Sequence, residues 1–182
     1  MNKNRTWILA LATAAAVAIV PSAASAQVSL EFRGGLQTPT GDLDDVADGN
    51  AGFGGDIFFN VSPQLSIYGG YGIENFDEDI NSSGFEAGAK FILSSTGEGV
   101  LPWIRAGAIL HELEFENGAT SDRGLGFQTS AGVDIPLGQV LSFSPAVRYQ
   151  RVSPEFDTLI GSFEGTAGFF SLDFGVHIHP GG

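Results

Sequence analysis

A period of two residues constrains this chain more than any other feature. In eight stretches alternate positions are apolar, while the residues between them are mostly small, polar or charged. In the first, Val28, Leu30, Phe32, Gly34 and Leu36 alternate with Ser29, Glu31, Arg33, Gly35 and Gln37. The alternation recurs over residues 53–61, 65–74, 84–93, 104–111, 125–135, 141–150 and 169–178. Successive side chains of a β-strand point to opposite faces, so the rhythm predicts strands with one wholly apolar face. No charge, Asn or Gln falls on that face, although 16% of the chain is charged. Each stretch is about ten residues long, the length a tilted strand needs to cross a bilayer.

Residues 1–26 read differently. Lys3 and Arg5 form a charged start, Ile8 to Val20 an uninterrupted small and apolar run, and Ala24-Ser25-Ala26 a small-residue cleavage site. That is the grammar of a secretory signal peptide. As a helix the run would reach only about 20 Å, short of the roughly 30 Å hydrocarbon core. Residues 27–182 are then expected to form one exported domain, since no linker or shift in composition divides them. The chain has no cysteine, so disulfides, thiolate chemistry and a lipid-anchored N-terminus are excluded. Its formal charge is -13, or -15 without Lys3 and Arg5, which opposes any nucleic-acid partner.

Two barrels can use such strands: a membrane barrel with the apolar face outward, or a secreted lipocalin-like carrier with it inward. The polar face is also the small face, carrying Gly54, Gly70, Gly72, Gly84, Gly88, Gly107, Gly126, Gly132 and Gly175. Small residues suit a crowded interior, and bulky Phe, Leu and Ile a wide exterior. Trp103, Tyr71 and Tyr149 fall near segment ends, where aromatic rings favour a membrane interface. Connections after the first, third, fifth and seventh segments are expected to be long and acidic. Those after the second, fourth and sixth are expected to be short, as at Val61-Ser62-Pro63-Gln64 and Pro136-Leu137-Gly138-Gln139. An unpaired edge in hydrocarbon would leave amides unsatisfied. The expected fold is therefore all-β, an eight-stranded antiparallel up-and-down transmembrane β-barrel.

The stretch Leu30-Glu31-Phe32-Arg33-Gly34-Gly35, followed by Pro39-Thr40-Gly41-Asp42, and the strand Leu65-Ser66-Ile67-Tyr68-Gly69-Gly70-Tyr71-Gly72 resemble the eight-stranded outer-membrane barrels of the OmpA, OmpX and OmpW type. The resemblance spans essentially all of residues 27–182. It implies residence in the outer membrane of a Gram-negative bacterium, insertion by the barrel assembly machinery, and contact with outer-membrane lipid and lipopolysaccharide. The chain departs from the family's pattern at Val176-His177-Ile178-His179-Pro180-Gly181-Gly182, where family members usually end on an aromatic residue.

The ionisable residues on the interior face are Glu31, Arg33, Asp56, Glu74, Glu86, Lys90, Arg105, Asp134, Arg148 and Asp173. Charges removed from water need partners, so they are expected to form an ion-pair network filling the lumen. The alternative is a narrow gated path for small molecules; a wide pore would need roughly sixteen strands. Ser171 and Asp173 share a face with His177, but the His-x-Ser motif of eight-stranded lipid A deacylases is absent at both His111 and His177. No catalytic, cofactor or metal site is expected, and the first loop lacks the EF-hand ligand pattern because Val46 stands where Asp or Asn is required. The acidic connections (Asp42, Asp44, Asp45, Asp48; Asp77, Glu78, Asp79; Glu114, Glu116, Asp122; Glu155, Asp157, Glu164) are expected to form a solvated, mutually repulsive surface available for interaction, the alternative being divalent cations that bridge them to lipopolysaccharide phosphates. The loop partner is left open.

Overall fold

Alternation becomes a cylinder. The computed structural model describes residues 28–40, 49–76, 80–93, 99–115, 121–153, 155–158, 161–164 and 166–179. The residues expected to form a signal peptide, Asp42 to Asp48, Asp77 to Asp79 and Glu116 lie outside them. The strands are β1 (Val28–Thr40), β2 (Gly49–Asn60), β3 (Leu65–Phe76), β4 (Ile80–Ile92), β5 (Leu101–Phe115), β6 (Gly124–Pro136), β7 (Leu141–Ser153), β8 (Glu155–Thr158), β9 (Gly161–Glu164) and β10 (Ala167–Ile178). Eight of them close antiparallel in the order β1-β10-β7-β6-β5-β4-β3-β2, with β8 and β9 as a separate two-stranded hairpin. Closure joins β1 to β10 from Leu30↔Ile178 to Thr40↔Gly168.

The apolar face points outward on every barrel strand. Phe32, Leu36, Phe53 and Leu125 are each about 60% exposed or more, at 59%, 65%, 62% and 69%. Glu31, Arg33, Asp56 and Gln128, at positions of opposite parity on the same strands, are buried in the lumen. The carrier arrangement, with the apolar face inward, is thereby excluded. The lumen-facing glycines make room for larger neighbours: Gly88 and Gly107 face each other across β4 and β5. A Cβ on Gly88 would lie 2.8 Å from the Tyr68 hydroxyl, and one on Gly107 closer still. The Tyr68 side chain reaches across the floor these two glycines leave bare.

Three expectations need correction. Trp103 is not at the membrane interface; it is 3% exposed inside the lumen. It lies two residues from Arg105 on the same strand, and a strand places such neighbours on the same face. The third connection is short, because β3 and β4 continue their ladder to Phe76↔Ile80 and leave only residues 77–79 to join them. The fourth, residues 93–100, is the longer of the two. At this end the strands outrun the apolar belt: the outward residues become Thr38, Asn81, Glu114, Arg151 and Ser153, all exposed. The sixth connection is residues 137–140, where Gly138 holds a φ of 127 that favours glycine.

Candidate functional site

Because interior side chains project from every strand toward one axis, the lumen brings together residues far apart in sequence. All the interior ionisable residues named from the alternation face it and are buried. Arg33 donates to both Asp56 and Glu86. Arg105 reaches Asp56 at 2.9 Å and Glu31 at 2.8 Å, making Asp56 the link between two arginines. Arg148 pairs with Asp173 at 2.8 Å and with Glu74 at 3.4 Å. Lys90 holds both oxygens of Asp134, at 2.7 and 3.0 Å, and Ser144 donates to the same carboxylate at 2.6 Å.

Neutral groups knit these pairs together. Gln128 donates to Glu86 and, at 3.0 Å, to the Tyr68 hydroxyl. The Arg105 guanidinium lies 4.8 Å from the Tyr68 ring centroid and 5.3 Å from that of Trp103, and Lys90 lies 4.5 Å from the latter. Such cation–ring contacts strengthen where water is excluded. Trp103 thus serves the ionic network rather than a membrane interface.

The loop end of the lumen is apolar. Phe76, Ile109, Leu113, Val152, Ala167 and Phe169 pack together inside it, with the Phe76 and Phe169 rings edge to face at 4.9 Å. At the opposite end Phe58, His177 and His179 pack ring on ring, at 5.0 and 4.3 Å between centroids. His179, just past β10, meets Ser142 at 3.2 Å, and burial lowers its pKa. Between the ends a cavity of about 10 Å³ lies among Glu31, Arg33, Trp103, Arg105 and Arg148, room for about one water molecule.

Two Ser, His and acid groupings occur among the described residues. His177 Nε2 meets Ser29 Oγ at 2.8 Å, but Asp134 stands 4.0 Å from Nδ1, beyond hydrogen-bond range. In the second, Ser82 and Glu74 both approach His111 Nδ1, at 3.0 and 3.4 Å, so no proton can be relayed across the ring from one to the other. Neither serine lines the cavity. Ser171 and Asp173, which share a face with His177, are instead engaged by Arg148 at 3.2 and 2.8 Å.

The alternation located the charged residues but not their pairing, which depends on the stagger of strands around the barrel. It also left unremarked the contributions of Tyr68, Gln128, Ser29 and Ser82. Their interior parity was the available signal. The apolar plug could have been sought as bulky residues at lumen positions near one end of the strands, such as Ile109 and Phe169.

No family model and no curated protein matches the sequence. Solved structures do match. Neisserial surface protein A aligns with a TM-score of 0.65 at 13% identity, over 84% of this chain and 96% of that one. OprG from Pseudomonas aeruginosa aligns with a TM-score of 0.51 at 13% identity, over 85% and 97%. The N-terminal barrel domain of OprF from the same organism aligns with a TM-score of 0.50 at 14% identity, over 82% and 98%. By architecture the chain is an eight-stranded antiparallel β-barrel of the outer-membrane type.

Proposed function

We propose that this chain is an integral outer-membrane protein that neither catalyses nor conducts, and that its filled barrel is a rigid anchor for surface-exposed acidic loops. The filled lumen carries this reading: charged side chains are paired along its middle, an apolar plug stands at the loop end, and the cavity between has room for about one water. Passage of a solute would require breaking buried pairs and parting the plug together. Membrane residence is supported by the exposed apolar belt, which in water would be an aggregation surface. Export through a cleaved signal peptide and insertion by the assembly machinery belong to the same proposal.

The test is reconstitution in a planar bilayer, after boiled and unboiled samples have shown the mobility difference of a detergent-resistant barrel. Insertion without resolvable single-channel steps is the expected result. Discrete, reproducible conductance would replace the anchor with a narrow conduit. Release of fatty acid from lipid A, lost in His177→Ala, would make it an enzyme.

A further inference from the structure

A census of cations isolates one residue. Of the eight Lys and Arg residues, Lys3 and Arg5 precede the barrel, while Arg33, Lys90, Arg105 and Arg148 are buried in the lumen. Among the described residues, the exterior therefore carries only Arg123 and Arg151. Arg123 is committed to its surroundings, with Nε 3.1 Å from Glu112 and the guanidinium 5.8 Å from the Phe85 ring centroid. Arg151 is exposed on β7 and has no ion-pair partner among the described residues.

Its position is specific. Arg151 is the first charged outward residue of β7, immediately beyond Val147 and Tyr149 at the edge of the apolar belt. Across the sheet it pairs with Gly168 of β10, which pairs in turn with Thr40 of β1. Gly168 offers no side chain, and two hydroxyls converge over its bare backbone. A Cβ there would lie 2.8 Å from Thr40 Oγ1 and 3.4 Å from Tyr149 Oη. One residue row toward the membrane centre, the Tyr149 and Phe170 rings pack at 4.8 Å, with Leu172 beyond them on β10. An arginine and two hydroxyl-bearing residues thus occupy adjacent outward positions at the edge of an apolar wall.

We infer that Arg151, Tyr149 and Thr40 bind a phosphate of lipopolysaccharide in the outer leaflet, with an acyl chain lying on Phe170 and Leu172. Guanidinium is well suited to phosphate, and hydroxyls complete the recognition of its remaining oxygens. A cation with no ion-pair partner among the described residues, on an exterior that is acidic apart from it and Arg123, is the place where an anionic headgroup is attracted rather than repelled. The loop end selects the leaflet: the four-residue turns 61–64 and 137–140 and the C-terminal end of β10 lie at the other end of the barrel, the periplasmic side in this architecture. This inference rests on the membrane reading above but not on the absence of conductance.

The full chain, reconstituted in phosphatidylcholine vesicles doped with either lipopolysaccharide or phosphatidylglycerol, is extracted in detergent and the co-purifying lipid phosphate measured. The wild type is expected to retain lipopolysaccharide, Arg151→Gln to retain about tenfold less, and Tyr149→Phe about threefold less, the scale of losing a charged and a neutral hydrogen bond. Arg123→Gln is expected to stay within about twofold of wild type, since that arginine is already paired. Each variant is checked for the heat-dependent mobility shift, which separates a lost site from a lost fold. Equal retention by Arg151→Gln, or retention of phosphatidylglycerol equal to that of lipopolysaccharide, would overturn the assignment. A wild type that shows neither vesicle association nor a mobility shift would instead sink the membrane reading beneath it.

Discussion

Arg105 shows how a single lumen residue carries several interactions at once. It neutralises Glu31 and Asp56 and lies against the Tyr68 and Trp103 rings. Truncating it leaves two carboxylates competing for the remaining cations in a buried interior. Removing one partner of a buried pair costs about 3–5 kcal/mol, chiefly through the charge left behind. Arg105→Ala is therefore expected to lower unfolding stability by that amount in urea titrations from vesicles, and adding Glu31→Gln to the same chain should recover part of the loss. Gly107 is sensitive for a steric reason, because an added Cβ would strike the Tyr68 hydroxyl and the Ala87 carbonyl of the facing strand. Gly107→Ala is expected to cost about 1–3 kcal/mol in the same titration, the range for overpacking. Residue parity made both positions legible as interior. Parity also placed Trp103 beside Arg105, and a reading by proximity to a segment end overrode it.

Strands were legible as elements because one face is unbroken, but their ends were not. At Phe76 and Ile80 pairing continues past the apolar belt, where outward positions such as Asn81 no longer advertise a membrane strand. The β8–β9 hairpin is only Glu155–Thr158 against Gly161–Glu164, too short for alternation to stand out from an acidic loop. Within the barrel one interrupted seam is explained by a single residue of the sequence. Between β6 and β7 the ladder runs to Gly132↔Ala146 and resumes at Ile135↔Phe143, and the gap falls opposite Pro145. Proline has no N–H to donate, so the ladder loses a rung there while the facing pair Phe174↔Pro145 on β10 is kept. Amide hydrogen exchange should be faster over Gly132 to Ile135 than at Ala89 and Lys90, which lie in an uninterrupted ladder with β5. Pro145→Val, which restores a donor on a lipid-facing site, should slow it. Unchanged exchange in that variant would mean that proline is not the cause of the gap.

For the molecule as a whole, the decisive asymmetry is between its two surfaces. Among the described residues, the outside is an apolar belt with two arginines beyond its loop end, while the inside holds the other four cations with their acidic partners. A soluble carrier would invert that distribution, so a pair of substitutions on opposite faces tests the architecture. Ala108 is exposed between Ala87 and Phe127 near the middle of the β5 apolar stretch. Ser130 faces inward between Arg105 and Arg148 and borders the one-water cavity. Hydrocarbon cannot solvate a guanidinium, and an arginine on the lipid face near the bilayer midplane costs about 2–4 kcal/mol. Ala108→Arg should therefore lower vesicle unfolding stability by that much. Ser130→Thr adds one methyl beside existing space and keeps the hydroxyl, so its effect should remain below about 1.5 kcal/mol. Equal tolerance at the two sites would mean that the outer face does not meet lipid, because water on both sides would remove the difference in solvation on which the cost depends.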